Sequence, residues 1–315
     1  MEEIYHIPAM LKETIEGLAI KPNGVYVDVT FGGGGHSRAI LEEIDNSQFT
    51  IHNSQRACKE SVQKGHLYSF DQDKDALSNA IDDERWTFVH SNFRYLRNWM
   101  DYYGVTEIDG LLADLGVSFH HFDCPERGFS FRFSAPLDMR MNQTAKRTAA
   151  DIVNGYSEEE LANIFWLYGE LKNGRGIARN ICNARSLKPI LRTEDLVAAS
   201  RIPAEMSKEL ARLFQALRIE VNDELGALRE MLVAARDLLK PGGRIAILTY
   251  HSLEDRLVKN FLRSGNLEGT IEKDFYGNNL SPFVLIEKGR EASPEEVERN
   301  PRARSAKLRV AEKKS

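Results

Sequence analysis

Three aspartates, Asp28, Asp71 and Asp114, stand at or near the ends of short apolar runs, and four consecutive glycines (32–35) follow the first of them. Carboxylates at such positions accept hydrogen bonds from hydroxyl or amine groups and attract cations. A backbone without side chains lets a ligand approach closely. Together these residues predict a binding site for a small ligand that carries hydroxyl groups and positive charge.

Two common glycine-loop motifs fit this stretch poorly. A P-loop has Lys followed by Ser or Thr after its last glycine, whereas His36 and Ser37 follow here, and Ser37 also replaces the third glycine of the dinucleotide pattern GxGxxG. Asp28 would repel a pyrophosphate, but it suits the sulfonium and amino groups of S-adenosylmethionine. The loop therefore favours S-adenosylmethionine over a nucleoside triphosphate or a nicotinamide dinucleotide.

The two later aspartates have distinct predicted roles. Asp71, with Asp73 as the alternative, would hold ribose hydroxyls, although its distance from the glycines exceeds the usual ~20 residues because of a polar stretch at 45–65. Asp114 would accept a hydrogen bond from a target amine, as a polar residue does at the end of the fourth strand in many amino-methylating enzymes. In the simpler alternative, the glycines make a tight turn, and Asp71 and Asp114 cap local structure.

A sheet of parallel strands would bring these side chains to one edge. Buried strands are predicted at 25–30, 66–71, 86–93 and 108–116, with helices beginning near 36, 73 and 95 between them. Strands that alternate with helices indicate right-handed βαβ units and a parallel sheet covered on both faces. Ligands bind such α/β sheets outside the carboxyl ends of the strands.

The alternation stops after Val117, and helical patterns fill about a hundred residues before a strand resumes at 241–250, after a Pro-Gly-Gly stop. We expect a methyltransferase domain at 1–118 and 216–315, with a helical insert at 119–215. Segments 268–274 and 281–289 predict an edge hairpin, and the charged tail, 291–315, is expected to be partly flexible.

Composition narrows the class of protein. Three cysteines, Cys58, Cys124 and Cys182, lie far apart, so neither a disulfide framework nor a metal site is predicted. No apolar run approaches the ~20 residues that cross a bilayer, and the first residues lack a signal pattern, so we expect a cytoplasmic protein without membrane contact. A net charge of −5 argues against a global nucleic-acid-binding field, but permits a local basic face.

Long stretches of the chain are similar to one family. They include YHIPAML, DVTFGGGGHS, FDQD, DGLLADLGVS, RGFSFRF, PLDMRM, FQALRIEVNDEL, KPGGRIAILTYHSLEDR and NPRARSAKLRV, which run in order from Tyr5 to Val310. In these segments the chain resembles the RsmH or MraW family, the bacterial small-subunit ribosomal RNA cytidine N4-methyltransferases. It departs from the family pattern at Ser134, Ala135 and Asn142, none of which carries the expected chemistry.

The resemblance implies a fold, a reaction and a set of contacts. The fold is the Rossmann-like α/β sheet of class I S-adenosylmethionine-dependent methyltransferases with an inserted helical substrate domain. The reaction methylates the exocyclic N4 of a cytidine in the decoding region of 16S rRNA. The implied cofactor contacts are Gly34, Gly35, His36, Asp71, Phe93, Asp114 and His121, where His121 replaces a glutamine of the family.

The chemistry of that reaction needs orientation more than a strong base, because the N4 lone pair is delocalised into the cytosine ring. Asp114 or Ser118 could accept a hydrogen bond from the amine, and His251 could face the same cleft. Alternatively, Ser252 and Asp255 form a capping box that begins a helix, with His251 packed before it. No covalent nucleophile is required.

A cytidine in folded RNA must be unstacked before it can react, which calls for aromatic and basic contacts. Arg127, Arg132 and Arg140 lie among Phe119, Phe129, Phe131 and Phe133, which could clamp the base or form core. Between residues 171 and 218, ten Lys and Arg face four Asp and Glu, so Arg175, Arg179 and Arg185 are candidate RNA contacts.

Some alternatives stay open at this stage. Residues Ile164, Phe165, Trp166 and Tyr168 favour insert core over a stacking platform, and the segment PRARSAKLR at 301–309 could touch RNA or only pair with acidic neighbours. A small-molecule methyltransferase and a catalytically silent RNA-binding module are the competing functions. Whether the protein forms a homodimer is also open.

Overall fold

The computed structural model of the protein describes residues 8–52, 65–117 and 124–315, with side chains omitted for 45–52. The chain divides into two compact units. Met1–Gly116 and Gly226–Ser315 form what we call the sheet unit, and Val117–Leu225 forms the helical unit. The sequence had placed the second of these boundaries at 215.

The sheet unit is built on seven strands in the order β3-β2-β1-β4-β5-β7-β6. They are β1 Val25–Asp28, β2 His66–Asp71, β3 Trp86–His90, β4 Ile108–Asp114, β5 Leu239–Thr249, β6 Phe283–Glu291 and β7 Lys307–Lys313. Neighbours among β1 to β5 are parallel, whereas β7 is antiparallel to both β5 and β6. This confirms the predicted class I methyltransferase sheet, whose strand order reverses beside β1 and so opens a ligand cleft at the carboxyl ends of β1 and β4.

Helices cover both faces of this sheet. They are α1 Leu11–Leu18, α2 Gly35–His52, α3 Leu96–Tyr102, α9 Glu224–Leu238, α10 Ser252–Ser264 and α11 Pro294–Arg299, where α9 begins two residues before the unit boundary. The helix predicted after Asp73 is instead a short 3-10 helix, Lys74–Asn79. Within the described ranges, no helix is both long and apolar enough to cross a membrane.

Side chains on the central strands alternate between two cores. Val27 and Leu111 point into a core shared with α3, α9 and α10. Their immediate neighbours on the same strands, Tyr26 and Leu112, point into a core shared with α1 and α2. Successive side chains of a strand face opposite sides of the sheet, so strands buried on both sides are apolar throughout. This is why the sequence shows them as unbroken apolar runs.

The helical unit has its own core. Its helices are α4 Ala149–Gly155, α5 Glu158–Leu167, α6 Gly174–Arg185, α7 Thr193–Ser200 and α8 Ser207–Asn222. Capping boxes fix where α4 and α5 begin, because Thr148 and Ser157 each exchange hydrogen bonds with the acidic residue three positions later. Phe165 and Leu213 are fully buried at the centre.

The predicted edge hairpin is wrong in one strand. Residues 268–274 form no strand, and the partner of β6 is β7, which lies in the tail that the sequence had suggested was partly flexible. Leu308 and Val310 are buried, and Arg309 is buried as well, since its Nε donates to Asp255 of α10 over 2.7 Å. Lys307–Lys313 of the tail is therefore an internal strand of the sheet, and the charge of Arg309 is paired within the fold.

Candidate active site

The glycine loop connects β1 to α2. Gly32 and Gly34 have positive φ values of +50° and +75°. If any other residue replaced Gly34, its Cβ would lie 2.9 Å from the Phe31 ring. A Cβ at Gly35 would lie 2.9 Å from Cγ of Pro8. Contacts with Phe31 and Pro8 within the protein thus require glycine at positions 34 and 35, even without a ligand.

Asp71 fixes this loop to the end of β2. Its Oδ2 accepts a hydrogen bond of 2.9 Å from the Gly32 N–H, and its Oδ1 accepts one of 2.8 Å from the Asp73 N–H. On the other side of the loop, Nδ2 of Asn79 donates to the Gly32 carbonyl over 3.1 Å. The structure therefore brings Asp71 and the glycine loop together at the carboxyl edge of the sheet.

Asp28 stabilises the loop from its buried side. Its side chain is fully buried, and it accepts hydrogen bonds from the Thr30 N–H at 3.0 Å and from the Ser37 hydroxyl at 2.6 Å. The Ser37 hydroxyl lies 2.8 Å from that of Ser69, to which Nε1 of Trp86 donates over 2.9 Å. Burial raises the pKa of Asp28, and the Ser37 hydrogen bond opposes that rise. The expectation that Asp28 faces a cationic ligand is wrong, because no part of its carboxylate reaches solvent.

Asp114 ends β4 and is held by two neighbours. Its N–H donates to Oγ1 of Thr30 over 2.6 Å, and its Oδ1 accepts a hydrogen bond of 2.6 Å from the Tyr250 hydroxyl. Its Oδ2 lies 3.7 Å from Nδ1 of His36 and accepts no hydrogen bond from the described residues. Burial raises the pKa of Asp114 to about 7, even though the Tyr250 hydrogen bond lowers it.

His36 lies in the first turn of α2 and is only 5% exposed. Burial lowers the pKa of its imidazole, and the charge of Asp28 offsets part of that effect. The ring is therefore neutral near neutral pH. Its position between Asp28 and Asp114 links the loop to the end of β4.

His251 begins α10. Its Nδ1 accepts from the Glu254 N–H at 3.4 Å, and its Nε2 lies 3.1 Å from Oε1 of Glu254. Ser252 is the first residue of the helix, and Asp255 pairs with Arg309, so the predicted Ser252–Asp255 capping box is wrong and His251 itself is the cap. The adjacent Tyr250 is anchored by its N–H, which donates to Oε2 of Glu254 over 3.1 Å.

The glycine loop, Asp71, Asp114 and Tyr250 thus lie at the carboxyl edge of the sheet, where α/β sheets bind ligands. The profile of the MraW methylase family matches residues 3–314. The chain belongs to this family. The MraW-family resemblance seen in the sequence is thereby confirmed, and the protein is a methyltransferase that uses S-adenosylmethionine as its methyl donor.

Relatives of this MraW-family chain carry a common name. A protein of Phocaeicola vulgatus is 55% identical over 317 residues, covering 99% of both chains, and one of Parabacteroides distasonis is 56% identical, covering 99% of this chain and 98% of its own. Both are called ribosomal RNA small subunit methyltransferase H. Curated relatives of this kind match the chain from end to end.

Solved structures show a looser likeness. An rRNA methylase from Streptococcus thermophilus aligns with 12% identity and a TM-score of 0.42, covering 98% of this chain and 99% of its own. TrmN from Thermus thermophilus aligns with 13% identity and a TM-score of 0.39, covering 96% of this chain and 48% of its own. At these scores the correspondence is loose.

Phe93 lies just beyond the carboxyl end of β3. It follows β3 and opens a 3-10 helix, Phe93–Tyr95, that is capped by the Asn92 side chain. Nδ2 of Asn92 donates to Oε1 of Gln72 over 2.8 Å, and the Ser91 N–H donates to the Asp71 carbonyl over 2.9 Å. These bonds bring the segment that carries Phe93 alongside Asp71. Two other predicted residues, Ser118 and His121, lie outside the described residues, as does Phe119.

The six candidate arginines of this MraW-family chain divide into two groups. Arg127, Arg140 and Arg185 are used within the helical unit: each donates to main-chain carbonyls, and Arg140 also forms a two-point pair with Asp138. Arg132, Arg175 and Arg179 are exposed. The side chains of the second group are the more exposed.

The predicted aromatic groups also divide. Phe129 is buried, and Phe131 packs edge-to-face on Phe214 at 5.6 Å, so both belong to the core of the helical unit, whereas Phe133 is 48% exposed. Phe165 is core as expected, but Trp166 is 61% exposed. The expectation that Trp166 is core is therefore wrong.

Sequence reasoning missed the partner of Asp114. Tyr250 stands directly after β5, and nothing in its sequence neighbourhood distinguishes it from a core tyrosine. The only available signal was its position, because parallel neighbours such as β4 and β5 end at the same edge of the sheet. The hydrogen-bonded chain from the Trp86 indole through the Ser69 and Ser37 hydroxyls to the Asp28 carboxylate likewise joins residues from four elements, β3, β2, α2 and β1.

Proposed function

We propose that this protein transfers a methyl group from S-adenosylmethionine to the exocyclic N4 of a cytidine in the decoding region of 16S rRNA, within the small ribosomal subunit. The observation that carries the proposal is the end-to-end similarity to proteins named for small-subunit rRNA methylation. The retained acidic edge of the sheet supports it. Cytoplasmic location follows from such a substrate.

The cofactor would be held by the loop and the second strand. Gly34 and Gly35 allow close approach of the methionine moiety, Asp71 accepts hydrogen bonds from the ribose hydroxyls, and Phe93 packs beside the adenine. The residues present fit this ligand, because the Asp71 carboxylate is fixed beside the Gly32 N–H, and His36, whose pKa is lowered by burial, is held near Asp114 at the start of α2. S-adenosylmethionine supplies a methyl group on a sulfonium, which is activated without further help from the protein.

Asp114 and Tyr250 would orient the acceptor amine. Oδ2 of Asp114 is the acceptor for an N4–H of cytosine, while the Tyr250 hydroxyl on Oδ1 keeps the carboxylate from rotating. A raised pKa of about 7 suits a group that takes up a proton after the methyl group has moved. The amine then approaches in line with the methyl group.

Other residues have supporting parts in this proposal. Ser118 would be a second acceptor for the amine, and in the sequence His121 replaces a cofactor-contacting glutamine of the family. His251 acts through α10, because it caps the helix that anchors Tyr250 through Glu254.

The helical unit would recognise the RNA. Its exposed arginines, Arg132, Arg175 and Arg179, are suited to phosphate contacts, in keeping with the local excess of basic residues. Arg127, Arg140 and Arg185 support that surface from within the unit. Assembly as a homodimer stays a prediction.

The test is transfer of labelled methyl groups from S-adenosylmethionine to small subunits and to naked 16S rRNA, both lacking the modification, followed by mapping of the labelled base. We expect label on N4 of one cytidine of the decoding region. The matched variant Asp114→Asn keeps the shape of the side chain and is expected to bind cofactor normally, but to lower kcat on the order of 10²-fold. Cofactor binding without transfer to either RNA would contradict the proposal.

A further inference from the structure

The indole side chain of Trp166 is exposed to solvent. It lies in the last turn of α5, and 61% of its side chain is exposed, whereas its neighbour Phe165 is fully buried. Large aromatic side chains are usually covered in folded domains, because burying them is strongly favourable. A tryptophan left in solvent on a short helix therefore calls for a partner outside the chain.

The packing of α5 on α6 brings the start of α6, which carries Arg175, close to the main chain of Trp166. Nε of Arg179 lies 3.5 Å from Oε1 of Glu158 near the start of α5, and a Cβ at Gly174, where α6 begins, would lie 3.6 Å from the main-chain nitrogen of Trp166. The two helices are thus antiparallel. Residues four apart share a helix face, so Arg175 lies on the face of α6 from which Arg179 reaches α5.

Two more basic residues, Lys172 and Arg212, lie on segments that pack near the end of α5. Lys172 is in the turn between α5 and α6, and this turn packs on α8, since a Cβ at Gly169 would lie 2.9 Å from the Arg212 carbonyl oxygen. Lys172, Arg175 and Arg212 are all exposed, and they make no side-chain hydrogen bond or ion pair within the described ranges. Three exposed basic side chains without a partner among the described residues thus lie on the segments that pack around the end of α5 that carries Trp166.

From these contacts we infer that Trp166 is a stacking platform for an unpaired RNA base, with Lys172, Arg175 and Arg212 contacting the flanking phosphates. An indole face stacks on any base, and nearby cations neutralise the backbone, which is how single-stranded RNA is generally held. Although Leu167 adds exposed apolar area, protein interfaces are depleted of lysine, which favours RNA as the occupant. The inference rests on the proposed rRNA substrate and names where its single-stranded part is gripped.

The test measures binding of naked 16S rRNA and of a short single-stranded oligoribonucleotide to four variants. Trp166→Ala is expected to weaken binding about tenfold, and Trp166→Phe, which keeps a ring, only a few-fold. Leu187→Ala is the matched control, because Leu187 is 90% exposed in the same unit, and it should leave binding unchanged. Arg175→Gln should reduce the slope of log affinity against log salt by about 0.7. In methyl transfer, Trp166→Ala should raise KM and leave kcat unchanged.

Fluorescence gives a readout that a purely structural role would not change. The oligoribonucleotide should quench tryptophan emission in the wild type, and that quenching should disappear in Trp166→Phe. Unchanged RNA affinity in Trp166→Ala would overturn the inference. So would a loss seen only with assembled small subunits, which would indicate a ribosomal protein as the partner. If the wild type binds and quenches but methylates nothing, the proposed function fails while the platform stands.

Discussion

The hydroxyl of Tyr250 donates a hydrogen bond of 2.6 Å to Oδ1 of Asp114, joining the residue after β5 to the last residue of β4. This bond stabilises the charged carboxylate, whereas burial favours the neutral acid and raises the pKa to about 7. The opposite oxygen of Asp114 accepts no hydrogen bond from the described residues, and in the proposed function it accepts one from the substrate amine. Tyr250 therefore influences both the orientation and the charge of the Asp114 carboxylate.

Replacing Tyr250 with phenylalanine should move the pH dependence of methyl transfer. Below its pKa, Asp114 is protonated and cannot accept from the amine, so activity falls as the pH drops through about 7. Loss of the Tyr250 bond raises that pKa further, so the acid limb of kcat shifts to higher pH. We expect a several-fold loss near neutral pH and recovery near pH ~9. Tyr156→Phe is the control, since it removes a 2.5 Å bond to Glu220 in the helical unit. An unshifted limb in Tyr250→Phe would exclude this role.

Replacing Gly34 with alanine should weaken cofactor binding. The substitution combines a positive φ of +75° with a Cβ 2.9 Å from the Phe31 ring, so the loop must shift. A cost of about 1–2 kcal/mol, expressed as affinity, is a loss of roughly 5- to 30-fold in calorimetric titration with S-adenosylmethionine. Gly32→Ala has strain at φ +50° but open space, and should lose less. Gly155→Ala, with no neighbour within 4 Å, should bind normally. Equal affinity for Gly34→Ala and wild type would show that the loop adapts.

Replacing Ser37 with alanine should destabilise the sheet unit. The change leaves Oδ2 of the buried Asp28 without its 2.6 Å hydrogen bond and interrupts the contact to Ser69. We expect the free energy of unfolding in urea to fall by about 1–3 kcal/mol. Ser78→Ala removes an exposed hydroxyl that donates to the Asp75 carbonyl, and should change stability by less than about 0.5 kcal/mol. Similar small effects for both would mean that water replaces the Ser37 hydroxyl.

Two cations of β7 should differ sharply in their effect on stability. Arg309 is buried and pairs with Asp255 at 2.7 and 3.1 Å, whereas Lys307 pairs with Glu291 at 3.0 Å on the surface. Arg309→Ala leaves a carboxylate without its partner, and we expect a loss of about 3–5 kcal/mol in urea unfolding. Lys307→Ala should cost at most about 1 kcal/mol. Comparable losses for both variants would contradict the structural role of the Arg309 pair.

The parallel part of the fold was predictable because its strands are buried on both faces. The runs that end in Asp71 and Asp114 stand out as apolar segments, and the topology of a parallel sheet then brings those ends together. The family resemblance supplied the cofactor and the reaction. These parts of the site depend on local pattern and on one general rule of connectivity.

The parts that were missed depend on contacts between distant segments. Residues 268–274 alternate like a strand but include Gly269 at φ +70°, whereas β7 reads as a charged tail because Arg309 is neutralised by Asp255, far away in the sequence. The apparent ligand role of Asp28 was wrong for the same reason, since its partner Ser37 comes from α2 and is itself held by Ser69 of β2. Trp166 looked like core because helical spacing does not reveal which face is covered.

The position of β7 between β5 and β6 has a consequence for biosynthesis. Ala246 of β5 pairs with Val310, so β7, which follows every other strand in the sequence, is needed to connect the sheet to its edge. The helical unit is one continuous segment and can fold as soon as it leaves the ribosome, whereas the sheet unit must wait until β7 has been translated and has left the exit tunnel. We expect a nascent chain stalled with the residues of β7 inside the exit tunnel to be protease-sensitive in the sheet unit, although its helical unit is already protected.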